Sequence, residues 1–178
     1  MKKKHVNYSL FSPQFTAGVY SYHGDHKTAI KLREDFLPVA KKTLTDHPSL
    51  GTLYDELGSS YEALGKMEKS VEYRKEAIRI FDGFLGDHKF TASSYLGLGT
   101  TLKSEGKYEE ALVALRKALE IQRKTIGPHV ETIITSEEIE KVLRDLGRDQ
   151  EAEECLNLTR KLNEDQKKIE KVTEMLHV

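Results

Sequence analysis

Cysteine is nearly missing from this chain. Cys155 is the only one, so no intrachain disulfide can form; a disulfide-stapled secreted domain is excluded and a reducing compartment fits. Cys155 itself reads as a small core residue rather than a nucleophile. No stretch approaches the ~18 consecutive apolar residues of a membrane span, and no apolar run of signal-peptide length follows Lys2, Lys3 and Lys4. These absences lead to the expectation of a soluble, cytoplasmic protein without a membrane partner. An excess of either charge is also lacking: 28 Lys and Arg stand against 29 Asp and Glu, a formal net charge of -1. Such a chain has no field to recruit nucleic acid. Its glycines are scattered instead of forming the clustered loops that cradle phosphates, and no serine sits in the G-x-S-x-G setting that exposes a nucleophile. Catalysis and cofactors therefore have no motif to rest on, and the expectation is a protein that is not an enzyme and holds no cofactor or metal.

What is present is a period. Gly24, Gly65, Gly106 and Gly147 are each separated by 41 residues, and His47, His88 and His129 keep the same spacing. Leu57, Leu98 and Ile139 extend the register, as do Gly58 with Gly99 and Ala77 with Ala118. A fixed period of this length is the mark of a repeat architecture. Within each period the apolar residues recur at helical spacing: Ala111, Leu112, Leu115, Ala118 and Leu119 form one stripe, Tyr95, Leu98 and Leu102 another, with Gly106-Lys107 breaking the chain between them. Each repeat is thus predicted to be a pair of helices. Glycine inside a helix costs about 1 kcal/mol relative to alanine, so Gly58 and Gly99 imply a partner helix that approaches closely. With 38% hydrophobic and 32% charged residues in 178, the chain suits a single thin domain with a large surface.

The succession Tyr54-x-x-Leu57-Gly58-x-x-Tyr61, Gly65, Ala77 and its copy Tyr95-x-x-Leu98-Gly99-x-x-Leu102, Gly106, Ala111, Ala118 resembles the tetratricopeptide repeat (TPR) signature. The long period, Gly106-Lys107-Tyr108-Glu109-Glu110-Ala111-Leu112 and Gly86-Asp87-His88 resemble the kinesin-light-chain subclass, to which nephrocystin-type repeats are related. The resemblance implies an all-α, right-handed solenoid of helix pairs. It divides the chain into an amino-terminal segment, 1–12, expected to be disordered; a TPR array, 13–162, of about three repeats after a partial first one; and a carboxy-terminal helix, 163–178. Pro13 falls where Tyr54 and Tyr95 stand, so the first helix is expected to be short. Glu140 replaces the small residue of Gly58 and Gly99, marking a terminal repeat.

The family's geometry implies a concave groove lined by the first helix of each pair. Asp55, Ser59 and Glu62, with Thr52, come from one repeat; Leu96, Thr100 and Lys103, with Ser93, from the next; Glu137, Lys141 and Arg144 from the last. A protein or peptide partner bound there is the expected function, with a structural tail segment of a larger TPR assembly as the alternative. Kinesin light chains typically carry an Asn pair before the Leu-small dipeptide, whereas this chain has Asp55-Glu56, Leu96-Gly97 and Glu137-Glu138; those amide donors are absent. The periodic histidines are expected to be turn or helix-start residues, and His23 and His26, flanking Gly24-Asp25, to mark a turn. From Arg148 to Leu176 there is neither Gly nor Pro, which predicts one long helix. Its Leu158, Leu162, Ile169, Val172 and Leu176 follow a/d spacing interrupted at Asp165. A cap over the last repeat, leaving a monomer, is preferred to a coiled-coil seam.

Overall fold

The computed structural model describes residues 13–176; the segment 1–12 and its expected disorder lie outside the described residues. Eight helices and no strand occur among them. They are α1 (Pro13–Tyr22), α2 (His26–Leu44), α3 (Pro48–Ala63), α4 (Met67–Phe84), α5 (Lys89–Ser104), α6 (Tyr108–Thr125), α7 (Val130–Asp145) and α8 (Asp149–Leu176). Short turns join them into four pairs, and each helix packs on its neighbours in chain order. Contacts also run from α3 to α5 and from α5 to α7, with no comparable contact between the second helices of successive pairs. The stack therefore closes up on the side of the first helices, which line its inner face.

The period sets the turns. Gly24, Gly65, Gly106 and Gly147 end the first helices with φ of +82°, +70°, +73° and +69°, a left-handed conformation that glycine adopts without steric cost. The first helices of the last three pairs begin alike. The Nδ1 atoms of His47, His88 and His129 accept from the backbone N–H of Ser49, Phe90 and Glu131 at 3.2, 3.3 and 3.4 Å, so the histidines are N-caps, helix-start residues as their shared spacing predicts.

Within a pair, the helix glycines mark where backbones meet. A Cβ on Gly58 would lie 2.8 Å from Arg74 Cγ and 3.3 Å from the Ser70 carbonyl oxygen; on Gly99 it would lie 2.5 Å from Leu115 Cγ and 3.2 Å from the Ala111 carbonyl oxygen. Ala17, fully buried, fills the same position in α1. The cores that result are two: Leu37, Leu53, Leu57 and Phe81 between α2, α3 and α4, and Leu98, Leu112, Leu115 and Val142 from α5 onward. Between them lies a polar contact, Ser70 Oγ to Thr101 Oγ1 at 3.3 Å.

The long carboxy-terminal helix is present as a single element of 28 residues. Its first half packs on α7 and buries Ala152, Thr159 and Leu162. Residues 163–176 continue it without interruption, and Ile169, Val172, Met175 and Leu176 are each at least half exposed. Cys155 is half-buried against α7, its thiol donating to the Ser136 carbonyl oxygen at 3.2 Å. Burial pushes that thiol up, away from the thiolate a nucleophile needs.

Two stability predictions follow from this geometry. Gly99→Leu forces a large side chain between α5 and α6, and its urea midpoint should fall by the equivalent of about 1–3 kcal/mol; an unmoved or higher midpoint would mean that the helices do not approach there. Thr45 is the one non-glycine with positive φ among the described residues, at +48°, and stands one period before Gly86, whose φ is +60°. Thr45→Gly should relieve a strain of about 1–3 kcal/mol, partly offset by the added freedom of the unfolded chain, and so raise the melting temperature.

Candidate binding groove

Every residue expected to line the groove sits on a first helix, but the side chains meet different fates. In α3, Asp55 and Glu62 do not face an open channel. Arg74, projecting from α4 and only 5% exposed, reaches past Gly58 and binds both: Nη1 donates to Asp55 Oδ1 at 3.3 Å and Nη2 to Glu62 Oε2 at 2.7 Å, with Ser59 Oγ at 3.3 Å. Ser94 of α5 donates to the same Asp55 oxygen at 2.7 Å. The guanidinium lies so close to the next first helix that a Cβ on Gly97 would come within 2.0 Å of Nη1. The dipeptide Leu96-Gly97 thus has a physical reason: an asparagine at 97 would collide with Arg74.

One period earlier the arrangement repeats. Arg33 of α2 is 2% exposed; its Nε donates to Glu56 Oε2 at 3.1 Å, and its Nη1 donates to Ser21 Oγ and Ser60 Oγ at 2.8 and 3.0 Å. In α6 the series ends, because Leu115 takes the place of Arg33 and Arg74. A different ion pair closes the next stretch. Lys103 of α5 donates to Glu138 of α7, which also accepts from Lys141 at 2.7 Å. Burial works to raise the Glu138 carboxyl, but the hydrogen bonds from Lys103 and Lys141 prevail and hold it below the usual carboxylate range. This tie therefore contributes stability above the ordinary carboxylate range, and that contribution is lost as the pH falls through the lowered value. Arg144 bonds Glu140 at 2.9 Å on its own helix, and Thr100 donates to the Gly97 carbonyl oxygen at 2.9 Å.

Ser93 and Leu96 remain uncommitted to any such pair, as does Glu137, which is half-buried. Around them, Phe90 and Ile134 are 43% and 44% exposed. The part of this face not taken up by internal ion pairs is the strip between the amino-terminal parts of α5 and α7, ahead of the Lys103–Glu138 pair. Arg33 and Arg74 were not among the residues expected there, although their spacing of 41 residues was a signal that could have found them. Among the described residues no group of three metal-ligating side chains comes together, and no helix is long and apolar enough to cross a membrane.

Helix pairs of this kind, stacked with a shared period and an inner face of first helices, define an α-solenoid. The tetratricopeptide repeat model matches residues 49–124 and 90–165, well over half of the chain, and the chain belongs to that family. Among solved structures, it is similar to BtubC (BKLC) from P. vanneervenii, with a TM-score of 0.81 and 22% identity over 87% of this chain and 63% of that one. It is also similar to a putative kinesin light chain of nearly identical TPR-like repeats from Podosopora anserina, with a TM-score of 0.53 and 22% identity over 87% of this chain and 95% of that one. The apo form of RapI gives a TM-score of 0.77 at 15% identity, over 91% of this chain and 58% of that one. The chain thus spans less than two thirds of the length of BtubC and of RapI. No curated protein matches it.

Removing the groove-filling arginine gives the prediction for this region. Arg74→Ala should cost about 2 kcal/mol in a denaturant melt, below the ~3–5 kcal/mol for stripping a partner from a fully buried pair, because Asp55 and Glu62 retain 24% and 28% side-chain exposure. Combining it with Glu62→Ala should cost less than the sum of the two single changes; strict additivity would show that the pair carries no coupling.

Proposed function

We propose that this protein is a non-catalytic interaction scaffold or adaptor that binds a peptide or helix of a protein partner along the inner face of its first helices. The observation that supports this reading is the strip between the amino-terminal parts of α5 and α7, where Phe90, Leu96 and Ile134 offer apolar surface beside Ser93 and Glu137, ahead of the Lys103–Glu138 ion pair that ties the two helices further along. Extended surfaces of stacked repeats suit such partners. The partner is a protein or peptide and not nucleic acid or membrane, the scaffold acts as a monomer, and its place is the cytoplasm. We read the subclass as kinesin-light-chain-like, with nephrocystin-type repeats as its relatives. Its mode of peptide contact is its own: Glu56, Gly97 and Glu138, at the second position of the missing Asn pairs, are all engaged with or pressed against cations from within the chain.

A second reading, a structural tail segment of a larger TPR assembly, is favoured by the exposed apolar end of α8. Affinity capture from native extract separates the two. The double variant Ser93→Arg, Leu96→Arg should lose the partners held by the wild type, while Ile169→Glu, Val172→Glu should keep them. An unchanged partner list in the first variant would sink the groove assignment, and loss only in the second would favour the tail.

A further inference from the structure

The turns that follow Gly65, Gly106 and Gly147 each begin with a cation, Lys66, Lys107 and Arg148, one period apart. Two of these cations are surrounded by acids. Arg148 is held by Glu109 at 3.2 Å and Glu151 at 2.6 Å. Lys107 bonds Glu105 at 3.0 Å, and that bond, with smaller pushes from Glu110 and Glu68, holds its ammonium above the usual value. At Lys66 every one of these partners is gone. Lys27 stands one period before Glu68 and two before Glu109; Lys69 stands one before Glu110 and two before Glu151; Leu64 stands one before Glu105.

The lysines do come together. Lys27, Lys31, Leu64 and Lys66 line a cavity of about 300 Å³ between α2 and the turn from α3 to α4. The Lys66 and Lys69 ammonium groups lie 5.9 and 4.9 Å from the centroid of one ring, that of Tyr61, and Lys69 also donates to its hydroxyl at 3.4 Å. All four lysines are exposed, and none has an ion pair among the described residues. Two carboxylates share the lining. Glu34 accepts from the hydroxyls of Tyr61 and, at 3.2 Å, Tyr73, while Asp35 is exposed and pairs with none of the lysines.

Cations gathered without counter-charges repel one another and attract an anionic group. We propose that this cleft is a second interaction site, which takes an acidic segment of a protein partner, with Asp or Glu side chains filling the places that Glu109 and Glu151 hold around Arg148. Separate carboxylates suit it better than a phosphate. They reach the lysines from different sides, as the two glutamates reach Arg148, whereas a phosphate brings its charge to one point beside Glu34. The cleft lies at the turns that end the first helices and the α5 to α7 strip where first helices begin, so the site goes beyond the groove reading and does not rest on it.

Fluorescence anisotropy of a labelled hexaglutamate peptide tests it, with Lys27→Glu and Lys171→Glu as variants of equal net charge. Lys27→Glu copies Glu68 and Glu109 and gives Lys66 an acid within the chain. It should raise the melting temperature at low salt and weaken the peptide about fivefold, the scale of reversing one or two exposed charge contacts. Lys171→Glu, on the far part of α8, should leave the affinity near the wild-type value, and about 0.5 M salt should abolish wild-type binding. Equal weakening by both variants, or no wild-type binding at low salt, would overturn the site without touching the α5 to α7 strip. Tighter binding of a peptide with one phosphoserine and no Asp or Glu would overturn the choice of carboxylates.

Discussion

Backbone-to-backbone approach within each helix pair is the constraint on which the other features depend. At Gly58 and Gly99 no side chain separates the helices, and the opposing surface includes a main-chain carbonyl oxygen just over 3 Å from where a Cβ would sit. Only glycine lets the pair close to that distance; in α1 the same position is taken by the next smallest residue, Ala17. That closeness is also what lets Arg74 act. Its side chain passes against Gly58 on its way to the inner face, and a larger residue at 58 would block the route. Where Glu140 replaces the glycine, α7 and α8 meet through Ser136, Cys155 and Thr159 instead.

The second organising fact is that the chain fills part of its own groove. Asp55 and Glu62 look like free acidic residues on a first helix, yet a buried guanidinium lies between them, and Lys103 and Lys141 are drawn onto Glu138. Charges that the sequence places on the first helices are thereby paired from within, at the cost of burying two arginines that need several acceptors each. In the next repeat the fully buried Leu115 of α6 takes the place of the arginine, and it is the α5 to α7 strip beside it that the proposed function assigns to a partner.

Much of this fold was legible in the sequence because glycine and histidine report on backbone. The turn glycines, the helix glycines and the N-capping histidines each do one local job, so a shared spacing translates directly into a shared structure. The long last helix was visible from the lack of any breaker. The groove was only partly legible. Which helices line it followed from the family's geometry, but what its charged residues do did not, because charge pattern alone assigns Arg33 and Arg74 to solvent. Only the distance between them, a full period, hinted that they answer to an internal position.

Each helix touches little beyond its immediate neighbours in the chain, and this has consequences for how the molecule comes together. With contacts short in sequence, little loop entropy has to be spent before the first of them forms, a topology associated with rapid folding. Order can start in a middle pair and spread outward, and cohesion resembles a row of linked units more than a single all-or-none block. Among the described helices, α5, which also touches α3 and α7, should be the last to exchange its amide hydrogens with water.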